Sequence, residues 1–291
     1  MNRKIIFAIA VTVMASTAAV AQTPGVKPGG PAPVKVKQGT KFSYTTVSNS
    51  EMTQSAMGQE MTVTTKSTGR TELTAKKVGK QRIDWVMAIP ELRMSVTNSM
   101  QPDAAMDTSI VSPPQNYATN ADGRVIEAPK SQAAGQMEMF MGGSMMKNFG
   151  VWFTPSLPNG AQSGATWDEE RRDTVNMNPG EEEGGGIKII STQNLRYTYD
   201  GVTDTLGVKV ARVRWTATSM KIEGAGSIQG NTMTMEGDGA INGISYYSTK
   251  DGLLFASTID TESNMRLGIN AGGQEMVIPM VQTAKVSITR K

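Results

Sequence analysis

Apolar and polar residues alternate along most of this chain. "RIDWVMAI" sets Ile83, Trp85, Met87 and Ile89 on one side, with Arg82 and Asp84 on the other. "LRMSV" continues the pattern through Leu92, Met94 and Val96, and "EMVIPM" through Met276, Ile278 and Met280. A repeat of two residues is the mark of a strand with one buried and one solvated face. Threonine, serine and valine recur throughout, which suits a pleated, half-buried surface. Glycine corners such as "ADGR", "KDGL" and "NAGGQ" separate the runs. The expected fold class is mainly β.

The first 21 residues have the layout of a secretory signal peptide: Arg3 and Lys4, an apolar run from Ile5 to Met14, and Ala19-Val20-Ala21 before Gln22. An uncleaved anchor is the alternative, but the apolar run is short for a spanning helix. Cleavage would remove two of the 29 basic residues and no acidic one. That leaves 27 against 26, and the net charge falls from +3 to +1. Such a balance offers no footprint for nucleic acid. With no cysteine there is neither a disulfide nor a lipid attachment site. The expected location is therefore periplasmic or secreted, not lipid-anchored and without stable membrane insertion. Residues 22–38, rich in proline and glycine, read as a flexible linker.

The remaining 39–291 read as one β domain made of two similar units. Gly39 and Phe42 precede Trp85 and Tyr117 in the first; Gly164 and Trp167 precede Trp215 and Tyr246 in the second. Tyr117 and Tyr246 are 129 residues apart, as are Asp122 and Asp251. Constant order with nearly constant spacing points to pseudo-repeats at about 39–130 and 164–291, with a connector over 131–163. Each unit alone would leave open edges and an uncovered apolar face. Joining them gives one large curved antiparallel sheet, a half-barrel or flattened barrel, with the connector across its mouth.

The connector carries the densest methionine cluster, "QMEMFMGGSMMKNFG" from Gln136. On a helical wheel Met137, Met141, Met145 and Phe149 form a stripe, and Gly142 and Gly143 would shorten or break the helix. A short Met-rich helical connector is expected. Three uses compete for it: plugging the core, an adaptable wall for an apolar ligand, and a Cu(I) site. Met-x-Met also recurs at Met233 and Met235, inside a strand pattern, and no histidine or cysteine exists to support copper. No metal site and no cofactor is therefore expected.

Catalytic arrangements that need histidine or cysteine cannot form. "TWDEERRD" places Asp168, Glu169 and Glu170 beside Arg171 and Arg172 and reads as a solvated strand face. "NPGEEEGGG" reads as a solvated loop joining two strands, since adjacent acids do not make a spaced calcium loop.

The glycine–aromatic start, the corner "YYSTKDGLL", the Met-rich middle and "FTPSLPNGAQSGATW" together resemble an uncharacterised family of exported bacterial β-sheet proteins. That resemblance implies a fold similar to the lipoprotein-carrier half-barrels (LolA/LolB-like), which enclose acyl chains, and it implies no catalytic residue. The expected function is non-enzymatic: holding a hydrophobic small molecule or lipid in the cell envelope. The alternatives are an interaction or structural module with a filled core and a Met-rich copper protein. The pocket is expected at Met137, Met141, Met145, Phe149 and Trp152, facing Trp85, Met87 and Trp215.

Overall fold

The computed structural model of the 291-residue chain describes residues 34–56, 58–121, 123–127, 152–153, 161–177, 186–228, 231–271 and 273–291. Eleven strands account for nearly all of them: β1 (Lys41–Ala56), β2 (Gln59–Val78), β3 (Ile83–Asn98), β4 (Gln101–Thr119), β5 (Val125–Glu127), β6 (Thr166–Met177), β7 (Ile187–Thr205), β8 (Val208–Ile228), β9 (Asn231–Ser248), β10 (Leu254–Ala271) and β11 (Gln274–Arg290). They form one sheet in the order β5-β4-β3-β2-β1-β11-β10-β9-β8-β7-β6, antiparallel throughout. The chain meanders through each half, and β1 pairs with β11 to join them. β5 and β6 are its outermost strands, so the sheet is not closed into a barrel. The strands are long: β8, with 21 residues, spans roughly 70 Å at about 3.3 Å per residue.

Alternation decides which face is covered. On β2, residues 63 to 75 are buried at every odd position, and on β3 Ile83, Trp85, Met87 and Ile89 all point inward, as their spacing predicts. The opposite face carries exposed charges, among them Lys66, Glu236, Asp238, Asp260, Glu262, Arg266 and Lys285. This polarity is the reverse of a lipid-spanning barrel, whose apolar band faces outward. Met276 departs from the expected pattern: at the start of β11 it is 36% exposed, and only Met280 of its run is buried.

One end of the sheet is drawn together by two short segments. The Val34 amide donates to the Ala121 carbonyl (3.0 Å), and the next amide, Lys35, donates to the Asp251 carbonyl (3.1 Å). Ala121 lies in the β4–β5 corner and Asp251 in the β9–β10 corner. In a flat sheet even the nearest strands of those corners, β4 and β10, would be five strand spacings apart, roughly 24 Å. Consecutive residues are about 3.8 Å apart, so the sheet must curl tightly for both bonds to form. Val34 is accordingly buried, while Lys35 and Lys37 stay exposed.

The second segment is Trp152–Phe153. Phe153 bridges to Leu253, and its ring sits 5.3 Å from that of Trp85. Trp152 packs 4.5 Å from Tyr44. This part of the expected connector is thus buried at the curled end. Met137, Met141, Met145 and Phe149, and with them the expected helix, lie outside the described residues.

The two glycine starts share their geometry. Gly39 (φ 82°) donates to Ala75 while Ala75 donates back to Thr40; Gly164 (φ 92°) donates to Tyr199 while Tyr199 donates back to Ala165. Trp85 stands opposite Tyr117 and its Nε1 donates to Thr119, two residues on; Trp215 stands opposite Gly243 and its Nε1 donates to Ser245, again two residues on. Asp122, the first-half counterpart of Asp251, lies outside the described residues.

Candidate functional site

The inner face has three zones. At the curled end, Tyr44, Leu73, Trp85, Tyr117, Trp152, Phe153, Tyr247, Leu253 and Leu254 fill the interior. An ion pair guards this zone: Arg290 reaches both Asp251 carboxylate oxygens (3.0 and 3.1 Å), and its guanidinium lies over the rings of Phe42 and Phe255. Asp251 also accepts the Leu253 amide, so one carboxylate fixes the corner and neutralises the arginine.

The far half of the face is lined by thioethers and branched chains: Met52, Met220, Met233, Met235, Met265 and Met280, with Ile187, Ile222 and Leu267. Three β9 glycines, in "EGDGAING", make room for some of them. A Cβ at Gly243 would fall inside the Trp215 indole, and one at Gly239 would collide with the Met220 methyl; at Gly237 it would come within 2.8 Å of Met265. Large side chains therefore lie flat along the wall.

Between these zones runs a polar belt that corrects the expectation of a uniformly oily interior. Thr46, Ser48 and Ser50 on β1, Thr65 and Ser67 on β2, Thr261 and Ser263 on β10, Gln282 on β11 and Gln193 on β7 are all buried. One row follows the register across seven strands: Met52, Gln282, Ser263, Gly239, Met220, Gln193 and Arg171. Gln193 donates to Ser191 and lies 3.8 Å from the Met220 sulfur. Among the described residues, the Thr261 and Ser263 hydroxyls and both amide atoms of Gln282 have no hydrogen-bond partner.

The row ends on β6, where the expectation of a wholly solvated face needs correction. Asp168 is exposed, as expected, and pairs with Arg196 across the strand (2.8 Å). Glu169 and Arg171 turn inward instead: they pair at 3.2 Å, Arg171 also donates to the Tyr197 hydroxyl, and Trp167 stacks on Tyr197 at 5.1 Å. Burial pushes the Tyr197 phenol upward, and pushes that of Tyr247 up to about 12. Both stay protonated, and Tyr197 accepts from Arg171 as a neutral hydroxyl. Inward charges on an outermost strand also discourage edge-to-edge pairing.

Of the expected pocket residues, Trp85, Met87, Trp152 and Trp215 belong to one buried cluster. Trp85 and Trp152 are 0% and 4% exposed, so at the curled end they serve as packing. Six buried methionines lie in the far half of the inner face, on β1, β8, β9, β10 and β11, while Met87 lies on β3 beside Trp85. Met233 and Met235, the second Met-x-Met pair, are among them. The belt escaped sequence reasoning because serine and threonine look alike on either face of a strand. Among the described residues, no group of three or more Asp or Glu could hold a metal ion.

No protein-family model matches the chain, and no curated protein does. Among solved structures it is similar to the COG4313 outer membrane channel from Pseudomonas putida F1, with 11% identity and a TM-score of 0.25, over 90% of this chain and 100% of that one. It is also similar to the outer membrane protein OprD from Pseudomonas aeruginosa (7%, TM-score 0.28, 92% and 98%). OccK5 (OpdH) of the same organism gives 6%, a TM-score of 0.30, and 86% and 98%. On that finding the expected location, periplasmic or secreted and outside the membrane, is corrected and not carried further. TM-scores this low carry no argument for a pore or a substrate.

Proposed function

We propose that this is a non-enzymatic protein of the cell envelope that holds a hydrophobic molecule, such as a lipid, against the inner face of its sheet. The observation that carries the reading is the far half of that face. Six methionines from five strands line it, and flexible thioethers can repack around guests of different shape. The curled end is already filled by aromatic rings, so the ligand's place is the methionine-lined half, with Trp215 at its border. A half-barrel of two similar units, akin to the lipoprotein carriers, belongs to the same proposal, and the paired geometry around Gly39 and Gly164 supports it.

The test is native mass spectrometry of protein isolated without detergent from its own cells. The reading expects a bound mass that organic solvent extracts. A clean apo mass, together with no uptake of lipid from vesicles, would favour the alternative of an interaction module with a filled core.

A further inference from the structure

The polar belt gives the proposed ligand a chemical class. Gln282 and Ser263 stand directly opposite each other on β11 and β10, and Thr261 lies one step along the same face. They are 2%, 1% and 8% exposed. Four of their polar atoms, the two hydroxyl oxygens and both atoms of the Gln282 amide, have no hydrogen-bond partner among the described residues. Buried polar groups are nearly always paired, and each one left unpaired carries the full desolvation penalty. Three such residues side by side, at the border of an apolar wall, therefore call for an occupant that supplies the missing bonds.

What that occupant offers follows from the atoms present. The Gln282 amide both donates and accepts, and so do the two hydroxyls. No charged side chain lies in this part of the row. The nearest on it is Arg171, five strands from Gln282 and already paired with Glu169 and Tyr197. A carboxylate or phosphate buried here would lack a counter-charge, which is costly. A neutral group with both donor and acceptor faces no such penalty.

We propose that Gln282, Ser263 and Thr261 bind the uncharged hydrogen-bonding head of an amphiphile, an amide or hydroxyl, whose chain lies along Met235, Met265 and Met280. This rests on the reading of the inner face as a ligand site and adds the head-group chemistry to it.

Three probes with the same sixteen-carbon chain test it: hexadecanamide, hexadecanoate and hexadecane, titrated into wild type, Q282L and S263A. Trp215 fluorescence and native mass spectrometry are the readouts. The expected order on wild type is hexadecanamide tightest, by about tenfold or more over either rival, the equivalent of one good hydrogen bond. Q282L should lose that preference and keep its affinity for hexadecane, and S263A should lose part of it. Ligand-free Q282L should also melt higher than wild type, because an unpaired buried amide has gone. Equal binding of all three probes to wild type and Q282L would overturn the head-group proposal and leave the apolar site standing. Tightest binding of hexadecanoate would overturn it in favour of an anionic head. A lower melting temperature for ligand-free Q282L would show that the amide is satisfied in the free protein, by buried water, and would overturn it too. If none of the probes binds, the ligand reading itself fails.

Discussion

Phe153 joins the two halves of the sheet: its backbone bridges to Leu253 while its ring sits 5.3 Å from Trp85, tilted by 60°. Trp85 belongs to β3 and Leu253 to the β9–β10 corner, far apart along the sheet order. Truncating Phe153→Ala should therefore loosen the curled end and cost about 3–5 kcal/mol in chemical denaturation. Gly123→Ala should also destabilise, since its φ is 81° and a Cβ there would come 2.7 Å from that of Phe153. In an F153G background the same glycine change should cost less, because the Cβ it would strike has gone, while the backbone strain and a 3.1 Å contact with Val34 persist.

Gly243 and Trp215 make a second dependent pair. A methyl group at 243 would overlap the indole, so Gly243→Ala should cost about 1–3 kcal/mol as an overpacking change. Gly39→Ala and Gly164→Ala meet no atom within 4 Å and carry positive φ alone. Each should cost about 1 kcal/mol, by similar amounts if the two turns are equivalent. Urea midpoints at constant slope measure all three.

Asp200 supplies a pH dependence. Arg214 holds its carboxylate with two bonds of 2.7 Å, and Arg212 lies at 3.4 Å; the hydrogen bonds from Arg214 lower its pKa. A depressed carboxylate stabilises the fold above its unfolded value, near 3.9, and the contribution disappears as pH falls through the folded value. Asp200→Asn should thus be less stable than wild type by about 1 kcal/mol at neutral pH, with the gap closing below about pH 4. Thermal melts from pH 7 to pH 3 measure it; a gap that widens in acid would contradict the assignment.

The absence of cysteine makes side-chain direction directly measurable, because single thiols can be introduced without background. M265C and M280C should react slowly with a maleimide reagent, whereas R266C and V281C, their outward neighbours, should react at the rate of an exposed thiol. Comparable rates at adjacent positions would mean that the inner face is open to water.

The strands were legible where, as on β3, a large apolar side chain stands at nearly every inward step, and the corners because Gly39, Gly123, Gly164 and Gly252 need positive φ. On β1 the inward residues between Tyr44 and Met52 are Thr46, Ser48 and Ser50, while Asn49 and Glu51 face out. Such a run has no apolar anchor, so its covered side cannot be read from polarity. The same blindness hid the inward turn of Glu169 and Arg171. The flat-lying Trp215 depends on Gly243, a partner 28 residues away that only the strand register reveals. A curved sheet was expected, but the backbone bonds from Val34 and Lys35 that draw it tight carry no side-chain signature.

Photocrosslinking offers the most direct test of where a ligand sits. A diazirine placed midway along a sixteen-carbon amide, activated after binding to the wild-type chain, should tag peptides containing Met235, Met265 and Met280. Tags confined to outward residues such as Arg266 and Lys285, or scattered without preference, would contradict an apolar ligand on the inner face.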